Sequence, residues 1–203
     1  SIIAIGSAQI IGIKIMDNFK TPYLAKNISE FWQRWHISLS TWFRDYLYYP
    51  LGGNRVKKSR WIINILIVFV VSGIWHGANW TFLIWGALFG FLYLFEKGIN
   101  SVLKLKKDYK PFSIGHLFLA TKTFVLVTLI WVFFRSQTFN EAIDIFSLLL
   151  IGTSQISKTL IVPNFVWFWL IIFIVTDILL YNKRFDLWLG KLPFIGRWVI
   201  YGF

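Results

Sequence analysis

The stretch SGIWHGANW (72–80) places a histidine and an asparagine between two runs of almost purely apolar residues. A polar group buried in hydrocarbon without a partner is costly, so such residues need a partner, water or a chemical role. The neutral imidazole of His76 suits general-base chemistry, because it can take a proton from an attacking hydroxyl near neutral pH. Ser72 stands four residues earlier, on the same helical face. Asn79 and the loosened backbone around Gly77 could donate hydrogen bonds to a developing oxyanion. The plainer alternative is a histidine that only stitches two helices together. Gly73 and Gly77, like Gly86 and Gly90, are spaced as GxxxG, which close helix packing explains without chemistry.

A second histidine, His36, lies in NISEFWQRWHISLSTWFRDYLYYPLGGNR (27–55). By spacing alone it reads as an interfacial histidine. Arg34, Arg44 and Arg55 around it read as ordinary interfacial charges, or as holders of the phosphates of a donor such as coenzyme A. Asp177 and Lys122 fall in apolar runs, where each can pair or snorkel. His116 opens another such run and reads as interfacial. None of these three receives a role. The chain has no P-loop, no Rossmann glycine pattern and no HExxH. Three scattered histidines without an acidic cluster do not make a metal site.

The elements that must position these residues are apolar and long. Of 203 residues 57% are hydrophobic and 20% aromatic, with twelve Trp and twenty-one Phe. Trp and Tyr favour the membrane–water boundary, and the whole reads as an integral membrane protein. Residues 116–134 and 165–181 have the length of single spans. The block 61–95 is too long for one crossing, since a continuous helix would reach about 52 Å against a hydrocarbon core of about 30 Å. It is expected to break at HGANW into short arms, 62–75 and 79–95. Broken helices at depth are tolerated where they face protein or a water-filled cavity, so a cavity is expected there. Segment 17–60 is expected to be a cytoplasmic, interfacial region. Within it Phe31, Trp35, Leu39, Trp42 and Tyr46 share one helical stripe. Asn27 with Glu30 starts that helix, and Pro50 with Gly52 and Gly53 stops it. It reads as one amphipathic helix lying at the interface or capping the bundle.

The net charge of +12 would suggest nucleic acid in a soluble protein. Here the basic residues lie mainly between the apolar runs, which points to membrane orientation instead. Segment 17–60 carries eight Lys and Arg, loop 96–115 five, loop 135–160 two and tail 182–203 four. If block 61–95 turns back, the split is seventeen against two; if it crosses once, it is ten against nine. The positive-inside rule favours the turn and puts 17–60 and 96–115 in the cytoplasm. The absence of cysteine excludes disulfides and a Cys nucleophile. The first run, SIIAIGSAQIIGIKIM, lacks the basic start and cleavage site of a signal peptide. It reads as a span cut partway through, so 1–203 is expected to be the C-terminal part of a single longer membrane domain.

FWQRWHISLSTWFRDYLYYPLGGNR (31–55), followed by SGIWHGANWTFLIWGALFG (72–90), resembles the membrane-bound O-acyltransferase (MBOAT) family. The bacterial alginate O-acetyltransferase branch is the nearest in kind, with the D-alanine exporters of Gram-positive walls as relatives that usually lack YLYYPLGGNR. The lead-in MDNFKTPYLAKNISEFW (16–32) fits as well, and WVFFRSQTFNEAIDIF (131–146) is similar more weakly.

The resemblance implies an all-α, multi-pass transmembrane bundle around a tunnel, in a bacterial cytoplasmic (inner) membrane. It implies that His76, in the WHG motif, and His36, in RWHISLS, are catalytic. Asn79, Ser72 and Trp75 are then oxyanion or tunnel-lining candidates, and Arg34, Arg44 and Arg55 donor-phosphate candidates. No resident cofactor is implied. The co-substrate would be an acyl thioester such as acetyl-CoA or an acyl carrier, arriving from the cytoplasm. The acceptor would be a hydroxyl of an extracytoplasmic, alginate-like polysaccharide, reached directly or through a periplasmic acyl-transfer protein. Membrane lipid surrounds the whole, and nucleic acid is not a partner. Transfer of D-alanyl or longer acyl chains is the nearest alternative. A transporter, whose sites are also built on discontinuous helices, is the alternative of another class.

Overall fold

A computed structural model describes residues 2–103, 109–151 and 163–181, with 183, 188, 190–194 and 197 of the C-terminal segment. Most of tail 182–203, and with it part of the charge argument, lies outside the described residues. So do residues 104–108 of loop 96–115 and 152–160 of loop 135–160.

The helices are α1 (Ile2–Ile10), α2 (Ile28–Arg34), α3 (Ile37–Phe43), α4 (Lys58–His76), α5 (Trp80–Leu103), α6 (Ile114–Arg135), α7 (Phe139–Ile151) and α8 (Asn164–Leu179). There is no strand among the described residues. Among the described residues three helices, α4, α5 and α6, are long and apolar enough to cross a membrane.

The 61–95 block breaks where expected, with His76 the last residue of α4 and Trp80 the first of α5. Gly77 makes the turn in an extended conformation, φ 161°. The arms are not short, however. Lys58, Ser59 and Arg60 prolong α4 backwards, and Glu96–Leu103 prolong α5 forwards. Neither extension meets a proline, and Lys58, Arg60, Glu96, Lys97 and Leu103 are favourable in a helix, so both arms run past the apolar block despite Gly98 and Asn100. At 19 and 24 residues, each is about 28–36 Å long, enough to cross a bilayer by itself.

Glycines set how closely the two arms pair. A methyl group on Gly73 would run into the backbone carbonyl of Phe82, and one on Gly86 into that of Phe69. The two helices therefore touch backbone to backbone, antiparallel, which is what small residues permit in hydrocarbon. Gly90 faces Leu66 and the Cβ of Phe69 at 3.1 and 3.3 Å. Packing is the whole explanation of both glycine pairs along this seam.

The segment expected to be one amphipathic helix is three pieces. Asn27 starts it as expected, its side chain accepting the Glu30 N–H at 2.9 Å. The helix then ends at Arg34, and His36 takes a left-handed conformation, φ 45° and ψ 54°. Helix α3 follows and runs into a wider π-type turn over Arg44–Tyr48. The stripe from Phe31 to Tyr46 is thus broken at its second member. Nor does the first piece lie on a surface: Ile28 and Phe31 are 0% and 1% exposed. Phe31 stacks on Trp35 and Phe89 and meets Trp131 edge-on. Helix α2 is wedged between α5 and α6, and the core of Trp85, Phe89, Val127, Ile130 and Phe133 closes around it.

Polar ties hold the wedge. Glu96 on α5 accepts the Ile28 N–H at 2.7 Å and pairs with Lys122 of α6. The lone lysine of the 116–134 run therefore has a partner. The YLYYPLGGNR stretch turns at Pro50–Gly53 as expected, with Gly52 at φ 98°. It is docked on α4 by Asn64, whose amide donates to the Leu51 carbonyl at 3.0 Å.

Further expectations change. The apolar start is helical only to Ile10, and Gly12 at φ 78° turns the chain into an extended run. Loop 135–160 opens with a 13-residue helix, α7, whose Ala142 is fully buried against the core. The expected span 116–134 appears as α6, whereas 165–181 appears as α8, a 16-residue apolar helix shorter than a membrane crossing needs, whose apolar side chains are exposed nearly all round.

Candidate active site

His76 closes α4, and its imidazole is walled by rings. Trp75 lies 4.8 Å away, Phe134 of α6 4.9 Å and Trp85 of α5 5.2 Å, all nearly edge-on. Phe82 adds a fourth ring at 6.2 Å. Ser72, one turn earlier, is buried, whereas Trp75 is 58% exposed and forms the outer lip.

His36 comes from a different element, the junction of α2 and α3, and lies within electrostatic range of His76. The local cause is the break between α2 and α3. A left-handed φ is strained for a residue with a Cβ, by about 1–2 kcal/mol, and persists only where the surroundings hold it. Asn18 does the holding. Its backbone carbonyl accepts the Ile37 N–H at 3.0 Å, and its side-chain oxygen accepts the Ser38 N–H at 3.0 Å and hydroxyl at 2.5 Å. On the other side Lys20 N–H donates to the Arg34 carbonyl at 2.9 Å. His36 occupies the N-cap position of α3 without capping it, because Asn18 satisfies those donors. The imidazole is left uncommitted: Nδ1 is buried with no hydrogen-bond partner among the described residues. Phe19 packs against the ring at 6.3 Å.

The other candidates separate. Asn79 turns its amide away to the α6–α7 connection, donating to the Gln137 carbonyl at 2.7 Å. Its side-chain oxygen accepts the Thr81 N–H at 3.2 Å and so starts α5. That geometry speaks for a structural post, not an oxyanion donor. Arg34 is likewise committed. It makes a paired hydrogen bond to Glu30 at 2.7 and 3.0 Å, and also reaches the Thr21 hydroxyl and the Tyr181 hydroxyl. With 13% of its side chain exposed, it is a strut tying α2 to Thr21 and to the end of α8. Arg44 is half-exposed and paired with Asp45, whose carboxyl that hydrogen bond holds below its ordinary value. Arg55 is exposed beyond the glycine turn. Arg44 and Arg55 remain the accessible cations of the three.

Sequence reasoning missed Asn18, Trp85 and Phe134. Asn18 lies near the start of segment 17–60, and nothing in its spacing signals a contact with Ser38. Trp85 and Phe134 are two aromatics among many. His116, read as interfacial, is fully buried and accepts the Phe112 N–H on Nδ1 at 3.2 Å. Asp177 lies near Tyr23; burial, and then that charge, push the Tyr23 phenol above its ordinary value.

Among the described residues, three membrane-length helices, with His76 at the end of one and His36 at a separate helix break within electrostatic range of it, define a class: a membrane protein with ionisable side chains inside its bundle. Comparison with known proteins makes the class specific. The model of MBOAT, the membrane-bound O-acyltransferase family, matches residues 1–135, and the chain belongs to that family. It is 47% identical over 141 residues to a probable alginate O-acetylase AlgI of Pseudomonas syringae pv. tomato, covering 68% of this chain and 26% of that protein. It is 41% identical over 142 residues to a peptidoglycan O-acetyltransferase of Helicobacter pylori, covering 70% and 26%. A teichoic acid D-alanyltransferase of Bacillus subtilis is 41% identical over 91 residues, covering 41% and 23%. The chain thus spans about a quarter of the length of these relatives.

Proposed function

We propose that this protein is an O-acetyltransferase of the cytoplasmic membrane. It moves an acetyl group from a thioester donor on the cytoplasmic side to hydroxyls of an extracytoplasmic polysaccharide, directly or through a partner protein. The observation that carries the reading is His76 at the break between α4 and α5, ringed by Trp75, Trp85 and Phe134, in a chain of the O-acyltransferase family. Relatives named for O-acetyl transfer match along more of the chain than those named for D-alanyl transfer, and favour acetate over D-alanine.

In the proposed mechanism His76 removes the proton of the acceptor hydroxyl. The oxygen then forms a bond to the thioester carbonyl carbon, and negative charge collects on the carbonyl oxygen. Collapse reforms the carbonyl and breaks the carbon–sulfur bond. The thiolate leaves with the proton that His76 had taken. His36 lies where it can orient His76 or the acceptor. In this scheme the site lies on a multi-pass tunnel that donor and acceptor enter from opposite faces, with Arg44 and Arg55 as the accessible cations for donor phosphates.

The experiment measures ester-linked acetate on isolated surface polysaccharide from the host. Wild type is compared with His76→Ala and His36→Ala at matched membrane levels. Loss of acetate in His76→Ala is the expected result; wild-type acetate in that variant ends the base assignment.

A further inference from the structure

Trp85 carries a polar atom that the fold does not use. The residue is 3% exposed, and its Nε1 has no hydrogen-bond partner among the described residues. A buried N–H left without an acceptor costs about 1–3 kcal/mol, and a buried indole usually finds one. Its neighbours Phe89, Phe134 and Phe82 show that phenyl rings fill this region well. The indole nonetheless stands at 5.2 Å from the His76 ring, with the two planes at 84°. Trp32 of α2 meets Trp85 at 5.9 Å, and its own Nε1 is also buried without a partner among the described residues. One turn before Trp85, the Thr81 hydroxyl is buried and unpartnered in the same way. Of these three, Trp85 is the one in ring contact with His76, while the Asn79 amide is bonded to Gln137.

We propose that the indole N–H of Trp85 is the donor that receives the acyl carbonyl oxygen beside His76 and stabilises the oxyanion. The inference rests on the acyl-transfer reading above and supplies the electrostatic part which that reading lacks. As the acceptor oxygen bonds to the carbonyl carbon, the carbonyl electron pair moves onto oxygen. The Trp85 N–H meets that charge in a site of low dielectric, where a fixed donor acts most strongly. When the pair returns and the thiolate departs, the bond weakens again. Such a donor raises the rate of the chemical step and contributes little to donor affinity.

The test uses the full-length enzyme with an acetyl thioester donor, comparing Trp85→Phe and His76→Ala with wild type. Trp85→Phe is expected to lower kcat about 100-fold, as loss of one oxyanion donor does elsewhere. Donor KM should stay within about twofold, the mark of a contact made only in the transition state. Its thermal midpoint should fall modestly, because phenyl leaves part of the buried indole's space empty. A structural tryptophan would lower the midpoint in the same way but leave turnover per folded molecule unchanged. If Trp85→Phe does not fold, benzothienylalanine placed at position 85 keeps the bicyclic ring and lacks only the N–H. Wild-type kcat in either variant, alongside an inactive His76→Ala, overturns the Trp85 assignment alone. An active His76→Ala overturns the acyl-transfer reading itself.

Discussion

His36 and His76 stand close enough for charge on one imidazole to be felt at the other, although they belong to different helical elements. Each sits where a helix stops: His76 at the C-terminal end of α4, His36 at the strained start of α3. Helix ends release side chains from the packed faces on either side, and each imidazole is set among aromatic rings: Phe19 beside His36, and Trp75, Trp85 and Phe134 around His76.

If the two rings serve one reaction, their removal should not add. His76→Ala is expected to lower turnover by about 100- to 10,000-fold, the range of a general base. His36→Ala should lower it less, and the double variant should be no slower than His76→Ala. Turnover of purified full-length enzyme with an acetyl thioester checks this. Independent effects that multiply would show that His36 acts at a separate step.

Asn18 makes a prediction at a distance from the chemistry. It holds the chain at the His36 break through Ile37 and Ser38. Asn18→Ala should therefore cost about 0.5–2 kcal/mol, like the loss of a helix cap. It should also reduce activity with both histidines in place. Asn18→Asp keeps the acceptor and should retain most of both. The pair of thermal midpoints, read beside acetyl transfer, decides. Equal behaviour of Ala and Asp would mean that the hydrogen bonds do not hold the break.

The sequence made the seam between the arms of block 61–95 legible, because glycine spacing and block length both report local geometry. The same holds for the Asn27 cap, the Pro50–Gly53 turn and span α6. What stayed hidden was tertiary. A periodic stripe of aromatics suggested one surface helix, yet Asn18 outcompeted helix continuation at His36, and the first half became core. Asn79 and Arg34 had the right chemistry for their expected roles. Their partners, Gln137 and Glu30 with Tyr181, belong to the scaffold. Polar side chains near an active site are chemically alike whether they bind substrate or hold a helix end, and only contacts distinguish them.

The glycine seam predicts an order of tolerance. Gly73→Ala and Gly86→Ala push a methyl against backbone, which cannot step aside. Each is expected to cost about 1–3 kcal/mol through overpacking. Gly90→Ala meets side-chain atoms at 3.1–3.6 Å and should cost less. Gly98→Ala has nothing within 4 Å and lies inside α5, so it should be stabilising by about 0.5–1 kcal/mol. Thermal midpoints in one detergent rank the four. A Gly98→Ala loss as large as that of Gly73→Ala would contradict the seam.

The three arginines separate strut from donor contact. Arg34→Lys keeps the charge but loses the forked bond to Glu30 and the reach to Thr21 and Tyr181. It should lower the yield of folded protein and leave the donor KM of the surviving enzyme unchanged. Arg55→Ala removes an exposed cation with no structural post and should do the reverse: full yield, with donor KM raised several-fold if it meets phosphate. Arg44→Ala should fall between them, since Asp45 already engages that guanidinium at 2.8 Å. Saturation curves at several ionic strengths make the distinction, because an exposed phosphate contact weakens with salt. A raised donor KM in Arg34→Lys, with Arg55→Ala unaffected, would mean that the buried fork binds the donor and that the exposed loop does not.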